Sequence, residues 1–162
     1  MATKAADTAI LSYISDALTN GSAFSDQLAQ LSVPAPDVLI SVSETGVPTV
    51  ATLQGTFPEA ARKALDAALR ADMGGSWAQR AATFLRTQTG ARSLTPREGS
   101  DPDAILSRAE AALTSGDLQT AMTEIAGLPK EAQEPMAEWL ALAQKRLAST
   151  QAFAKLSAIL DQ

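Results

Sequence analysis

The sequence predicts an all-α protein, built of short helices and helical hairpins packed as a bundle and closed by a long C-terminal helix. Three observations carry the prediction. Of 162 residues 46% are hydrophobic but only 4% aromatic, and much of the apolar share is alanine, the strongest helix former and a residue that lets helix axes approach closely. Apolar residues recur at spacings of three and four rather than two. Ser, Thr and Asp stand where such runs begin and Gly where they stop, as helix caps require.

The first helix is expected over Thr3 to Thr19, with Ile10, Leu11, Ile14 and Leu18 on one face and Asp7, Ser12 and Asp16 opposite. Asn20-Gly21 ends it, and Ser22 is placed to cap a short second helix carrying Phe24, Leu28 and Leu31. Residues 37 to 53 are ambiguous. The runs VLISV and VPTVATL around a turn-like ETG fit a β-hairpin, whereas Pro36 suits a first helical position, Gly46 a C-cap, and Pro48 would interrupt the second strand. Two short helices, the second capped by Thr49, is the reading adopted.

From Thr56 the signals sharpen. Thr56 and Glu59 have capping-box spacing with Pro58 in the first turn. Ala61, Ala64, Leu65, Ala68 and Leu69 then form a narrow small-residue stripe that Gly74-Gly75 terminates. Ser76 and Gln79 repeat the capping-box spacing and open a further helix that Gly90 closes. On it Trp77, Ala81, Phe84 and Leu85 share one face, flanked by Arg80 and Arg86, with Arg92 and Arg97 following. No acidic residue occurs between Ser76 and Arg97.

Thr95 to Asp103, TPREGSDPD, is a polar connector and the clearest internal boundary. It divides the chain into 1–97 and 98–162. Asp101 caps the next helix with Pro102 at its first position and Gly116 at its end. Ile105, Leu106, Ala109, Ala112 and Leu113 form its buried side. Asp117 caps a partner helix whose face is Leu118, Ala121, Met122 and Ile125. The pair resembles a single tetratricopeptide hairpin, but one hairpin is not an array, since about three are needed for stability. The last helix is expected from Glu134-Pro135 to Leu160. Met136, Leu140, Ala143 and Leu147 make a coiled-coil-like seam, and Trp139, Leu142, Phe153, Leu156 and Leu160 a second row. Two readings stand side by side: packing against the N-terminal helices, or an interface with a partner or a second copy built on Met136, Trp139, Leu140 and Leu147.

Composition excludes much. With neither cysteine nor histidine there are no disulfides, thiolate nucleophiles or imidazole bases, and the usual zinc ligands are missing. Neither GxxxxGK[ST] nor GxGxxG occurs, so no phosphate loop is present. Acid pairs such as Asp101/Asp103 and Glu131/Glu134 sit where helix N-termini favour negative charge. No catalytic constellation, metal site or cofactor is expected, and the chain reads as a non-enzyme. No apolar run reaches the roughly 20 residues of a transmembrane helix, and no secretory signal stands at the N-terminus.

Net charge is −5, but it is segregated. Residues 58–97 hold seven basic and three acidic side chains, a net of +4, leaving −9 elsewhere. A basic face of this kind fits an anionic partner. A nucleic acid is conceivable for the basic segment, but a pI near 4.7 and a single tyrosine argue against a broad phosphate-binding surface, and none is expected as partner.

The run from Phe84 to Pro129, FLRTQTGARSLTPREGSDPDAILSRAEAALTSGDLQTAMTEIAGLP, resembles the C-terminal signature domain of the mitofilin family, more closely its alphaproteobacterial members. NGSAFSDQL (Asn20 to Leu28), TGVPTVATLQGTFPEAAR (Thr45 to Arg62) and EWLALAQKRL (Glu138 to Leu147) are similar to the segments around that domain. The resemblance implies a membrane-anchored scaffold with a transmembrane helix, a coiled coil and this C-terminal region, shaping the inner membrane at crista junctions. It implies a lipid-binding amphipathic helix mapping onto Trp77 to Thr89, and a signature domain that self-assembles and binds a small helix-hairpin protein. This chain lacks the transmembrane helix and coiled coil, so the expectation is a soluble fragment facing the periplasm, the equivalent of the mitochondrial intermembrane space.

Together these observations predict a module that binds anionic membrane lipids through Trp77, Arg80, Phe84, Leu85, Arg86, Arg92 and Arg97 and assembles as a dimer or higher homo-oligomer. A helical protein partner is expected on the C-terminal part. The competing reading is a helical adaptor whose basic face binds an acidic protein.

Overall fold

The computed structural model describes residues 2–72 and 98–160. Among them every regular element is helical: α1 (Ala2–Asn20), α2 (Ser25–Leu28), α3 (Asp37–Ser43), α4 (Val50–Asp72), α5 (Pro102–Thr114), α6 (Leu118–Ala126), α7 (Lys130–Gln133), a 3-10 turn (Glu134–Met136) and α8 (Ala137–Leu160). The all-α prediction holds, and the β-hairpin is ruled out for residues 37–53. The chain packs as two compact units, one formed by Met1–Leu53 with Ala141–Gln162, the other by Gln54–Leu140.

In the first unit the core is Leu11, Ile14, Ala17, Leu18, Phe24, Leu28, Leu39, Val42, Val47 and Leu156, with Phe153 and Leu160 packed against it. The distal part of the second row on α8 therefore covers the N-terminal helices, as the packing reading expected. Two glycine turns organise this unit. Gly21, at φ +77, ends α1 while the Ser22 N–H donates to Ala17 O at 2.9 Å, the six-to-one bond of a Schellman cap. Gly46, at φ +74, ends α3 with its N–H donating to Val42 O at 2.8 Å. The two turns touch backbone to backbone, for a Cβ on Gly46 would stand 2.2 Å from Gly21 O. Phe24 N–H donates across the same junction to Ser43 O at 2.7 Å. Near the start of α1, the buried Asp7 carboxylate accepts from both the backbone N–H and the hydroxyl of Ser32, pinning the α2–α3 connection.

Several local expectations change. Ser22 does not cap α2, which starts only at Ser25 with Phe24 as its N-cap and no side-chain bond; Ser22 N–H instead closes the end of α1, and Leu31 lies past the single turn. Pro36 is the N-cap of α3, not its first residue. Thr49 does cap α4, accepting from Thr52 N at 3.0 Å. No new helix starts at Thr56, because α4 runs unbroken through Pro58. An interior proline removes one helical bond, but Leu53, Phe57, Ala64 and Ala68 are all buried on one stripe, and that burial outweighs it. Leu69, assigned to the stripe, is 44% exposed. The glycine stop at 74–75 lies outside the described residues.

In the second unit α5 and α6 form the antiparallel hairpin. Asp101 accepts from Ala104 N at 3.0 Å and Asp117 from Thr120 N at 2.9 Å, so both expected caps are made. Gly116, at φ +84, completes the turn as Asp117 N donates to Ala112 O at 2.9 Å. Ile105, Leu106, Ala109 and Leu113 of α5 and Leu118, Ala121 and Ile125 of α6 are buried, whereas Ala112 and Met122 are half-buried. From α4, Gln54 donates its amide to Leu113 O at 3.0 Å. The run into α8 begins with the short α7 and the 3-10 turn instead of one uniform helix, because Pro129 and Pro135 interrupt the backbone donors there.

Candidate functional site

The basic stretch carrying Trp77, Arg80, Phe84, Leu85, Arg86, Arg92 and Arg97 lies outside the described residues. What the structure places is the chain on either side. Upstream, α4 ends at Asp72, and Glu59 and Lys63 pair at 2.8 Å on its exposed surface. The hydrogen bond with Lys63, reinforced by its charge, holds the Glu59 carboxyl below its ordinary value.

Downstream, the described end of the connector, residues 98–101, is tied to α5 and α6. Arg108 on α5 donates from Nε to Glu124 Oε2 at 2.9 Å and pairs with the same oxygen through Nη2 at 2.9 Å. Its Nη1 donates to Gly99 O at 2.8 Å. One guanidinium thus reaches α5, α6 and the connector. Gly99 sits at φ +140, and a Cβ there would lie 2.9 Å from Asp101 Oδ2, the carboxylate that caps α5. Sequence reading missed Arg108 because a lone arginine between two alanine-rich faces has no local pattern; its partners lie 9 and 16 residues away.

The acidic character of this region is also concrete. Residues 98–140 hold nine acidic and two basic side chains, and Glu98, Asp101, Glu110, Asp117, Glu131, Glu134 and Glu138 are exposed. At Asp117 the Thr120 backbone N–H, then its hydroxyl, hold the carboxyl below its ordinary value. In sequence, a basic run is therefore followed by a strongly acidic segment.

The candidate assembly residues fall into two groups. Met136 is fully buried and Trp139 nearly so, the indole standing edge-on to Phe57 with ring centroids 5.2 Å apart and planes at 75°. Leu140 and Leu147 are half-buried, and they are the ones with surface to offer. Further along α8, Arg146 donates from Nη1 to Leu18 O, placing a cation at the C-terminal end of α1 where the helix dipole favours it. Burial lowers the pKa of this guanidinium below its ordinary value.

A shallow cleft of about 420 Å³ adjoins the Gly21–Gly46 junction, lined by Asn20, Thr45, Thr49, Thr52, Leu142 and Lys145 among others. Of its lining residues only Lys145 is titratable. Among the described residues no cluster of acidic side chains could hold a metal ion, and no helix is long and apolar enough to cross a membrane.

A family model described as "Mitofilin: Mitochondrial inner membrane protein" matches residues 39–159. No curated protein and no solved structure matches the chain.

Proposed function

The chain belongs to the mitofilin family, and on that premise we propose that it is a non-enzymatic membrane-shaping module of the inner membrane. It binds anionic bilayers peripherally through the basic amphipathic stretch and self-assembles to organise membrane invaginations from the periplasmic side. The observation that carries this reading is the acid-free run from Ser76 to Arg97, inside the matched region, with four arginines and an apolar row of Trp77, Phe84 and Leu85. Tryptophan suits the interface because its ring is apolar while its N–H stays hydrated. Each cation beside an anionic surface contributes about 1 kcal/mol, so the four arginines together give binding that is real but reversible. Assembly uses the row of Met136, Trp139, Leu140 and Leu147, of which the half-buried Leu140 and Leu147 keep exposed surface.

Liposome flotation tests the reading. The parent should float with phosphatidylglycerol-containing vesicles and not with neutral ones, and Arg80→Glu with Arg86→Glu should abolish it while leaving the helical dichroism unchanged. A folded double variant that floats like the parent overturns the membrane role of this stretch. A parent that ignores protein-free vesicles yet binds an acidic protein makes it an adaptor instead.

A further inference from the structure

The connector ahead of α5, rich in Gly, Ser and Pro, has the composition of a loose joint, yet its described end, residues 98–101, is tied to the hairpin by side-chain hydrogen bonds. Glu124 accepts two N–H groups of Arg108 on a single oxygen, which orients the guanidinium plane and points Nη1 at Gly99 O. The Gly99 conformation, φ +140, is one that side-chain-bearing residues rarely adopt. Beside it Asp101 is fixed in turn by capping Ala104. The hairpin does not need this arrangement to stay closed, since Ala109, Leu113, Ala121 and Ile125 already bury its seam, and a part-exposed ion pair contributes only about 0–1 kcal/mol. What the third bond adds is control of the chain's direction of entry.

That direction has a consequence. Gly99 stands two residues beyond Arg97, the last cation of the basic run, a reach of about 7 Å even if fully extended. We propose that Arg108 is a positioning residue: its clamp on Gly99, oriented by Glu124, makes the acidic α5–α6 hairpin stand at a set distance and tilt from the anionic lipid surface contacted by the preceding basic run. The proposal rests on the membrane reading for its second half only; the clamp itself is a property of the hairpin.

The experiment has two arms, and the absence of native cysteine makes both clean. In solution, spin labels on Glu98→Cys and Ser115→Cys, both at exposed positions, report the connector against the tip of the hairpin by pulsed electron resonance. The parent should give one narrow distance distribution. Arg108→Gln, and Arg108→Lys, which keeps the charge but loses the fork, should broaden it about twofold with helical content unchanged. Equal widths in folded variants overturn the clamp. Should Arg108→Gln fail to fold, Glu124→Gln, which removes the carboxylate that orients the guanidinium onto Gly99, should broaden the distribution in the same way, and an unchanged width in that folded variant overturns the clamp.

On vesicles, a donor fluorophore on Ser115→Cys transfers energy to acceptors on the headgroups of phosphatidylglycerol-containing vesicles. Arg108→Gln should leave the bound fraction as in the parent while changing the transfer efficiency and spreading the donor lifetimes. The same efficiency and spread at the same bound fraction overturn the coupling to the membrane. A parent that does not bind vesicles removes the membrane reading and that coupling together, while the spin-label widths still decide the clamp.

Discussion

At the scale of single residues, two glycines show how position decides the sign of one substitution. Gly46→Ala forces a side chain into a left-handed conformation, costing about 1–3 kcal/mol, and drives its Cβ to 2.2 Å from Gly21 O. Denaturant melts should show a loss at or above the top of that range. Gly55 lies mid-helix in α4 with nothing within 4 Å of an added Cβ, so Gly55→Ala should instead stabilise by about 0.5–1 kcal/mol. Asp117 supplies the pH dependence. Its folded pKa lies below the ordinary 3.8 because Thr120 donates to the charged form. Its contribution is therefore complete above the unfolded value and is lost as pH falls through the lowered folded one. Asp117→Asn keeps an acceptor for Thr120 N without the charge. The gap in melting temperature between parent and variant should be widest near neutrality and close on acidification. A gap constant with pH removes the electrostatic account of this cap.

At the scale of elements, α4 carries the main lesson. The sequence offers two N-terminal signals for it, Thr49 and Thr56, and the helix uses the first, with Thr52 N donating to Thr49 Oγ1 at 3.0 Å. Thr49→Ala should cost about 1 kcal/mol in equilibrium unfolding, and a change inside experimental error would show that α4 does not need its cap. Pro58 reads locally as a helix start, since a first-turn proline loses no bond. Whether it stands in a first turn or mid-helix depends on whether Leu53 and Phe57 are buried ahead of it, and both are. The α5–α6 hairpin was legible throughout, because Asp101, Pro102, Gly116 and Asp117 each act within five residues of themselves. The last helix was legible in its periodicity but not in its start. There Pro129 and Pro135 break the lead-in into a one-turn helix and a 3-10 turn.

At the scale of the whole molecule, charge is segregated rather than evenly spread, with +4 over residues 58–97 and −9 elsewhere. If the basic run is the membrane contact, vesicle binding should weaken steeply with added salt, because at about 0.15 M the field of exposed charges reaches only about 8 Å. Flotation that persists unchanged at about 1 M salt, where the reach is about 3 Å, would mean that apolar insertion and not charge holds the protein. The sequence by itself determined the helical class, the hairpin, the caps at Thr49, Asp101 and Asp117, the charge segregation and the family. All of these are written in spacings of a few residues or in composition. Tertiary structure decided what those patterns could not encode. It set which apolar rows of α8 become core, sending Leu156 to the N-terminal helices and Trp139 to Phe57. It also brought Gly21 against Gly46 and joined Arg108 to both Glu124 and Gly99. A helix face records that it is apolar but not what will cover it, and a lone charge records its sign but not its partner. Only the folded chain brings together residues that lie far apart in sequence.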